Sequence, residues 1–201
     1  SLFGINIYSA EKFDCPKKEI VAAFDDRGYN YLKGVGFDID LLNAITEETN
    51  CKIKKVEMPR ARIFELLKTG EVGMAFFVIK TEEREKFSYF IPYMLQGNLL
   101  ISKKGFSKKI KTLDSFEKDK TLLFSKVNGF KHEENFDVFL DRLENSNRLF
   151  KVNNTEALLK MVIEDRVQGV FSLPIVFSMY LDKELLKYKN EVEITDWQKS
   201  M

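Results

Sequence analysis

Residues 36–93 read GFDIDLLNAITEETNCKIKKVEMPRARIFELLKTGEVGMAFFVIKTEEREKFSYFIPY, and the order of elements in this stretch decides the fold. Residues 37–49 place Leu41, Leu42 and Ile45 on one helical face. Asp38 and Asp40 stand at the end where the helix macrodipole is positive. Residues 51–58 carry Ile53 and Val56 in a short strand-like run. Residues 60–68 return to an amphipathic pattern through Ile63, Leu66 and Leu67, and Gly70 is placed to end that helix. Residues 72–79 are apolar and partly β-branched, the pattern of a buried strand. Thr81 then caps a short helix with Glu82 and Glu83 in its first turn. Helices alternating with strands predict a mostly parallel sheet covered on both faces.

Upstream, residues 2–8 form a short apolar strand candidate. Downstream, residues 97–102 are apolar and extended, and a second series follows. Residues 121–125, 148–152 and 167–172 read as strands, and residues 133–143, 154–164 and 174–181 as helices. Pro174 stands in a first helical turn, where its missing N–H is harmless. Two series joined by an extended segment predict an α/β protein of two lobes with a ligand cleft between them. Residues 1–98 make lobe 1 and residues 99–190 lobe 2. Residues 191–201 are a short return towards lobe 1, with 191–195 as its strand and further closing elements missing or truncated.

Composition bounds the function. The 201 residues are 44% hydrophobic and 31% charged, an ordinary globular balance. Lys+Arg 32 against Asp+Glu 31 leaves a formal charge of +1, which gives no electrostatic reason for nucleic acid or an anionic membrane as partner. No apolar run is long enough to cross a bilayer. An exported chain loses its signal peptide, so its absence is compatible with export. Cys15 and Cys51 are two buried thiols or one disulfide; the second would agree with an oxidising compartment. No metal-ligand spacing surrounds them, and no metal or cofactor is expected.

Gly36-Phe37-Asp38-Ile39-Asp40-Leu41-Leu42, then Pro59-Arg60-Ala61-Arg62 with Leu66, Leu67, Gly70 and Met74, then Thr81-Glu82-Glu83-Arg84, then Phe90-Ile91-Pro92-Tyr93 stand in one order. Together they resemble the family 3 bacterial extracellular solute-binding proteins, which share the type II periplasmic binding-protein fold. The likeness is strong in the first half and continues more weakly through residues 154–180. It implies that Arg84 takes a ligand carboxylate with its bidentate fork. The alternative is an arginine paired with Glu82, Glu83 or another surface carboxylate. Arg62 either faces the cleft or is a solvated helix-start charge. Phe24 is either a ligand-stacking aromatic or a core anchor. Residues 9–22 are longer than the family's usual link and read as a flap beside the cleft, pinned by Cys15.

The sequence also departs from that family. Amino-acid-binding members carry small polar residues just before T-x-x-R, where Phe77 and Ile79 stand here. They keep an acid in the second lobe for the ligand's ammonium, where Leu173 follows Ser172 here. An apolar residue cannot compensate a buried ammonium. The expected ligand is therefore a small polar or acidic solute without an obligatory α-ammonium. Asn128, beside Gly129, is a further contact candidate, and Ser172 another; His132 is expected on the surface. The resemblance implies a monomeric binding protein outside the cytoplasm that closes its lobes on a solute and delivers it to an ABC-type transporter permease. The alternatives are the sensing module of a receptor and, less favoured, a dehydratase-like enzyme. No acid–base pair can be placed in the cleft, and no enzyme is expected.

Overall fold

The computed structural model describes residues 13–197. The strand candidate at residues 2–8 and the first part of the expected flap lie outside them. Lobe 1 is built on β1 (Ile20–Phe24), α1 (Phe37–Thr49), β2 (Ile53–Glu57), α2 (Arg60–Thr69), β3 (Met74–Ala75) and α3 (Glu82–Glu85). Its sheet has the order β2-β1-β3, and both pairings are parallel.

Two expectations need correction here. Residues 20–22, the end of the expected flap, belong instead to β1, the central strand of lobe 1: Ile20 pairs with Ile53 and Ala22 with Met74. The expected strand over 72–79 shrinks to Met74–Ala75, because the backbone bends at Phe77, whose φ is 52°. A bulky residue in the left-handed region breaks the extended run.

Lobe 2 follows as β4 (Leu99–Lys103), α4 (Leu113–Lys118), β5 (Phe124–Val127), α5 (Glu134–Asn145), β6 (Leu149–Val152), α6 (Thr155–Ile163), β7 (Gly169–Ser172), α7 (Pro174–Asp182) and β8 (Val192–Thr195). Its sheet order is β6-β5-β7-β4-β8. β5 runs parallel to β6 and β7, while β4 runs antiparallel to β7 and β8. Residues 192–195 therefore do not return to lobe 1. They close the edge of lobe 2, and Trp197 just beyond packs edge-on against Phe116 and Phe171 in that lobe's core. Burying an indole there holds the segment on the second sheet.

Each lobe has its own cores. Phe24, Tyr31, Ile39, Leu42 and Phe76 fill one side of the first sheet, and Ala23, Ile63 and Val72 the other. Two larger clusters cover the two faces of the second. Cys15 and Cys51 form a disulfide across a sequence separation of 36, tying the segment before β1 to the start of β2.

Candidate functional site

In doubly wound sheets the carboxyl ends of the strands leave an open crevice, and loops there supply ligand groups. A cavity of about 490 Å³ lies at that edge, walled by both lobes. Its charged wall is unequal: Arg27, Arg60, Lys80, Arg84 and Lys131 face it against the single carboxylate of Glu133.

Arg60 opens α2. It is buried, and its guanidinium donates to Asp25 Oδ1 (2.6 Å) and to the carbonyls of Phe76 (3.2 Å) and Phe77 (2.5 Å). The Phe77 N–H in turn donates to the Tyr93 hydroxyl (2.6 Å), and that hydroxyl donates to Asp38 Oδ1 (2.9 Å). Phe77 is thus gripped at both backbone groups while held at a positive φ. Strain of this kind persists where surrounding bonds over-determine it, and it concentrates at functional sites.

Arg84 sits in α3, whose N-cap Thr81 accepts the Arg84 N–H (3.3 Å). Its guanidinium donates to the Ile79 carbonyl (2.8 Å) in lobe 1 and to the Gly129 carbonyl (3.2 Å) in lobe 2, and lies 3.7 Å from the Phe64 ring centroid. The acidic neighbours on its own helix turn elsewhere: Glu83 pairs with Lys68 and Glu85 with Lys80. Burial, then repulsion from Arg60, pulls Arg84 down to about 10, so it stays charged at neutral pH.

Arg27 follows β1. Asp25 Oδ2 accepts from its Nε (3.2 Å), and the guanidinium lies 3.5 Å from the centroid of Phe130, a lobe 2 ring. Burial and the neighbouring Arg60 lower it to about 9. Asp25 is shared between Arg27 and Arg60, so one carboxylate serves two guanidinium groups.

The second lobe contributes Phe130, His132, Glu133, Ser172 and Leu173. Glu133 accepts from the Asn98 backbone N–H (3.1 Å) and from Asn98 Nδ2 (2.5 Å), so both its oxygens are engaged. His132 is buried rather than on the surface, with Nδ1 3.3 Å from Asp137 Oδ1. Burial holds its pKa below the ordinary histidine value, so the ring is neutral at pH 7. Among the described residues no group of His, Cys and carboxylates could hold a metal ion.

Of the residues singled out from sequence, Arg84, Phe77, Ile79 and Ser172 line this cavity. Arg62, Phe24 and Asn128 do not. Arg62 is exposed on α2, because two residues of helix turn a side chain by about 200° and the inward position belongs to Arg60. Phe24 is buried between Tyr31 and Phe76, with ring centroids at 4.8 Å and 5.2 Å, and is a core anchor. Asn128 is exposed, and the adjacent Gly129 carbonyl reaches Arg84 instead. Sequence reading missed Arg27, Arg60 and Glu133. A signal for Arg27 existed: a D-D-R run directly after an apolar strand falls at a carboxyl end.

The lobes touch on both sides of the cavity. On one side Tyr180 donates its hydroxyl to Asp26, and the Tyr29 N–H donates to the Ile175 carbonyl (3.2 Å). On the other, Gly129 lies so close to α2 that a Cβ there would meet Ala61 N at 2.9 Å.

Solved structures of similar shape are binding proteins and a receptor core. The arginine-, lysine- and histidine-binding protein of Geobacillus stearothermophilus has a TM-score of 0.69 at 18% identity, covering 89% of this chain and 76% of that one. An amino acid ABC transporter substrate-binding protein of Streptococcus pneumoniae, bound to L-arginine, has 0.68 at 22%, covering 89% and 74%. The ligand-binding core of GluR0 from Nostoc punctiforme, bound to L-glutamate, has 0.70 at 20%, covering 88% and 78%. These likenesses show the type II periplasmic binding-protein fold. No curated protein sequence matches. Residues 21–160 match the bacterial extracellular solute-binding proteins, family 3, and with two lobes around a cationic cleft this chain belongs to that family.

Proposed function

We propose that this solute-binding protein captures a small acidic solute lacking an α-ammonium group, outside the cytoplasm, and hands it to a membrane transporter. One observation carries the reading: of the five cationic residues that line the cavity, Arg27 and Arg60 share Asp25, Lys80 pairs with Glu85 and Lys131 with Asp137, whereas Arg84 has no carboxylate partner among the described residues, and the single lining carboxylate, Glu133, is bonded to Asn98. Arg84 supplies the primary fork for a carboxylate. Leu173 lines the wall where an ammonium partner would be needed, and the Phe77 carbonyl is already taken by Arg60. An ammonium group entering here would lose its hydration without a partner. The Cys15–Cys51 disulfide supports an oxidising compartment.

Calorimetry tests the reading with small carboxylic acids and the standard amino acids. Micromolar binding of an acid, with no binding of its α-amino counterpart, is expected. Micromolar binding of a standard amino acid alone would refute it. The receptor core among the similar structures favours a sensory role as the second reading. A transmembrane segment adjoining this region in the full-length gene would decide for it.

A further inference from the structure

We infer that Arg27 forms a second anion subsite in the cleft, so that the solute carries two separate acidic groups. The inference rests on the acid-binding reading above and narrows it to a ligand class. Arg27 is only 7% exposed, yet it lines the cavity. Its Nε is bonded to Asp25, and among the described residues no protein acceptor meets its two terminal nitrogens. The guanidinium stem is buried while the outer fork, with no protein acceptor, is left to the cavity and can take a ligand's oxygens. Its fork geometry matches a carboxylate.

The two forks rest on different rings. Phe64 stacks under Arg84 and Phe130 under Arg27, and Arg60 neighbours both rings, 5.3 Å from the Phe64 centroid and 5.9 Å from that of Phe130. Arg60 is the cation that each of the other two feels. Its own terminal nitrogens are committed to Asp25 and to the Phe76 and Phe77 carbonyls. Arg27, Arg60 and Arg84 thus bring three guanidinium groups to one cavity wall, where Asp25 pairs with Arg27 and Arg60. A solute with one acid group held by Arg84 would leave the terminal nitrogens of Arg27 without an acceptor.

The competing role for Arg27 is purely as a brace, its guanidinium stacked on Phe130 to hold the lobes together. A brace would raise affinity for every ligand equally. A second subsite raises it only for diacids.

The test is calorimetry on the unsubstituted chain with straight-chain and benzene dicarboxylates, each against the monocarboxylate of the same skeleton, and with inorganic phosphate. The best diacid should bind about 10- to 100-fold more tightly than its monoacid, the contribution of one charge-assisted bond. R27Q should erase that diacid-to-monoacid ratio, which is read within each protein and so does not depend on any change in overall affinity, and R27K should restore part of it. Equal diacid and monoacid binding in the unsubstituted chain overturns the second subsite but leaves the acid-binding reading standing. Phosphate binding as tightly as the best diacid overturns it too, since the forks would then share one anion. A ratio that survives in R27Q assigns the second group elsewhere. If no acid binds at all, both readings fall.

Discussion

The hydroxyl of Tyr180 in α7 donates to the carboxylate of Asp26, joining residues 154 apart in sequence across the two lobes. Burial raises the Asp26 carboxyl above its ordinary value, while the Tyr180 hydroxyl and the Gly28 N–H stabilise its charged form. Y180F removes the cross-lobe donor and leaves a half-buried carboxylate with fewer partners. A hydrogen bond to a charged group is worth about 1.5–3 kcal/mol, so in a chain of this length the melting temperature should fall by roughly 3–12 °C. Thermal unfolding measures this directly, and a variant melting with the parent would show that the bond contributes nothing.

The opposite side of the cleft makes a steric prediction. Gly129 has a φ of +78°, and a Cβ there would come within 2.9 Å of Ala61 N and 3.0 Å of Ala61 Cα. Both atoms belong to the backbone of α2, which cannot yield cheaply. G129A should therefore hold the lobes apart, also drawing the Gly129 carbonyl away from Arg84. Small-angle scattering should show a larger radius of gyration with unchanged helical content, and ligand affinity should drop. An unaltered radius with unaltered affinity would refute the steric argument.

The elements between residues 36 and 70 were legible because their apolar spacing is helical and their ends carry Asp38, Asp40 and Gly70, signals that local chemistry alone explains. The central strand β1 was not. It is five residues long with two alanines, and it follows the charged run Lys17-Lys18-Glu19, so its pattern resembles a loop. Misplacing β1 also hid Arg27, since a residue is recognised as a cleft residue only when the strand before it is known. Arg60 and Arg62 lie on nearly opposite sides of one helix, and periodicity states that they oppose without stating which one faces in. The helix of Arg84 was legible from its cap Thr81, whereas the ligand role of Arg84 came from the resemblance of Thr81-Glu82-Glu83-Arg84 to the family's motif. The bend at Phe77 was not, because bonds from Tyr93 and Arg60 impose it from outside the segment.

Asp38 predicts a pH dependence. Burial lifts its carboxyl from 3.8 to about 6, although Tyr93, Arg60 and Arg27 pull the other way. The folded chain thus keeps this proton where the unfolded chain has released it. The resulting stability is fully present below about pH 3.8 and is lost as the pH rises through 6. The loss amounts to about 3 kcal/mol at neutral pH. Asparagine cannot titrate, so D38N should gain on the parent by up to about that amount between pH 4 and pH 7. Denaturant unfolding of both proteins at the two pH values checks it. A difference that does not change with pH would remove Asp38 from the account.

The Cys15–Cys51 disulfide closes a loop with a separation of 36 residues around β1 and α1. Constraining an unfolded loop of that length stabilises the fold by about 3–4 kcal/mol in the chain-entropy picture. C15S/C51S should lose roughly that much in denaturant unfolding, and dithiothreitol should bring the parent to the same midpoint. Indifference of the parent to the reductant, with both thiols shown to be reduced, would contradict the prediction.

Arg84 separates charge from geometry. Its guanidinium is oriented by the Ile79 and Gly129 carbonyls and by the Phe64 face, and each terminal nitrogen keeps a second N–H for a ligand. R84K retains the positive charge in a buried, cationic wall but replaces the planar fork by a single ammonium that cannot bond both carbonyls and a carboxylate in plane. Affinity for small acids should fall about 10- to 100-fold in R84K, and at least as far in R84Q. If R84K bound acids as well as the parent, charge alone would suffice and the fork would have no role. If R84Q did so, Arg84 would be a tie between the lobes and the acid would be held elsewhere on the wall. Calorimetry on the three proteins, each first shown to melt cooperatively, separates these outcomes.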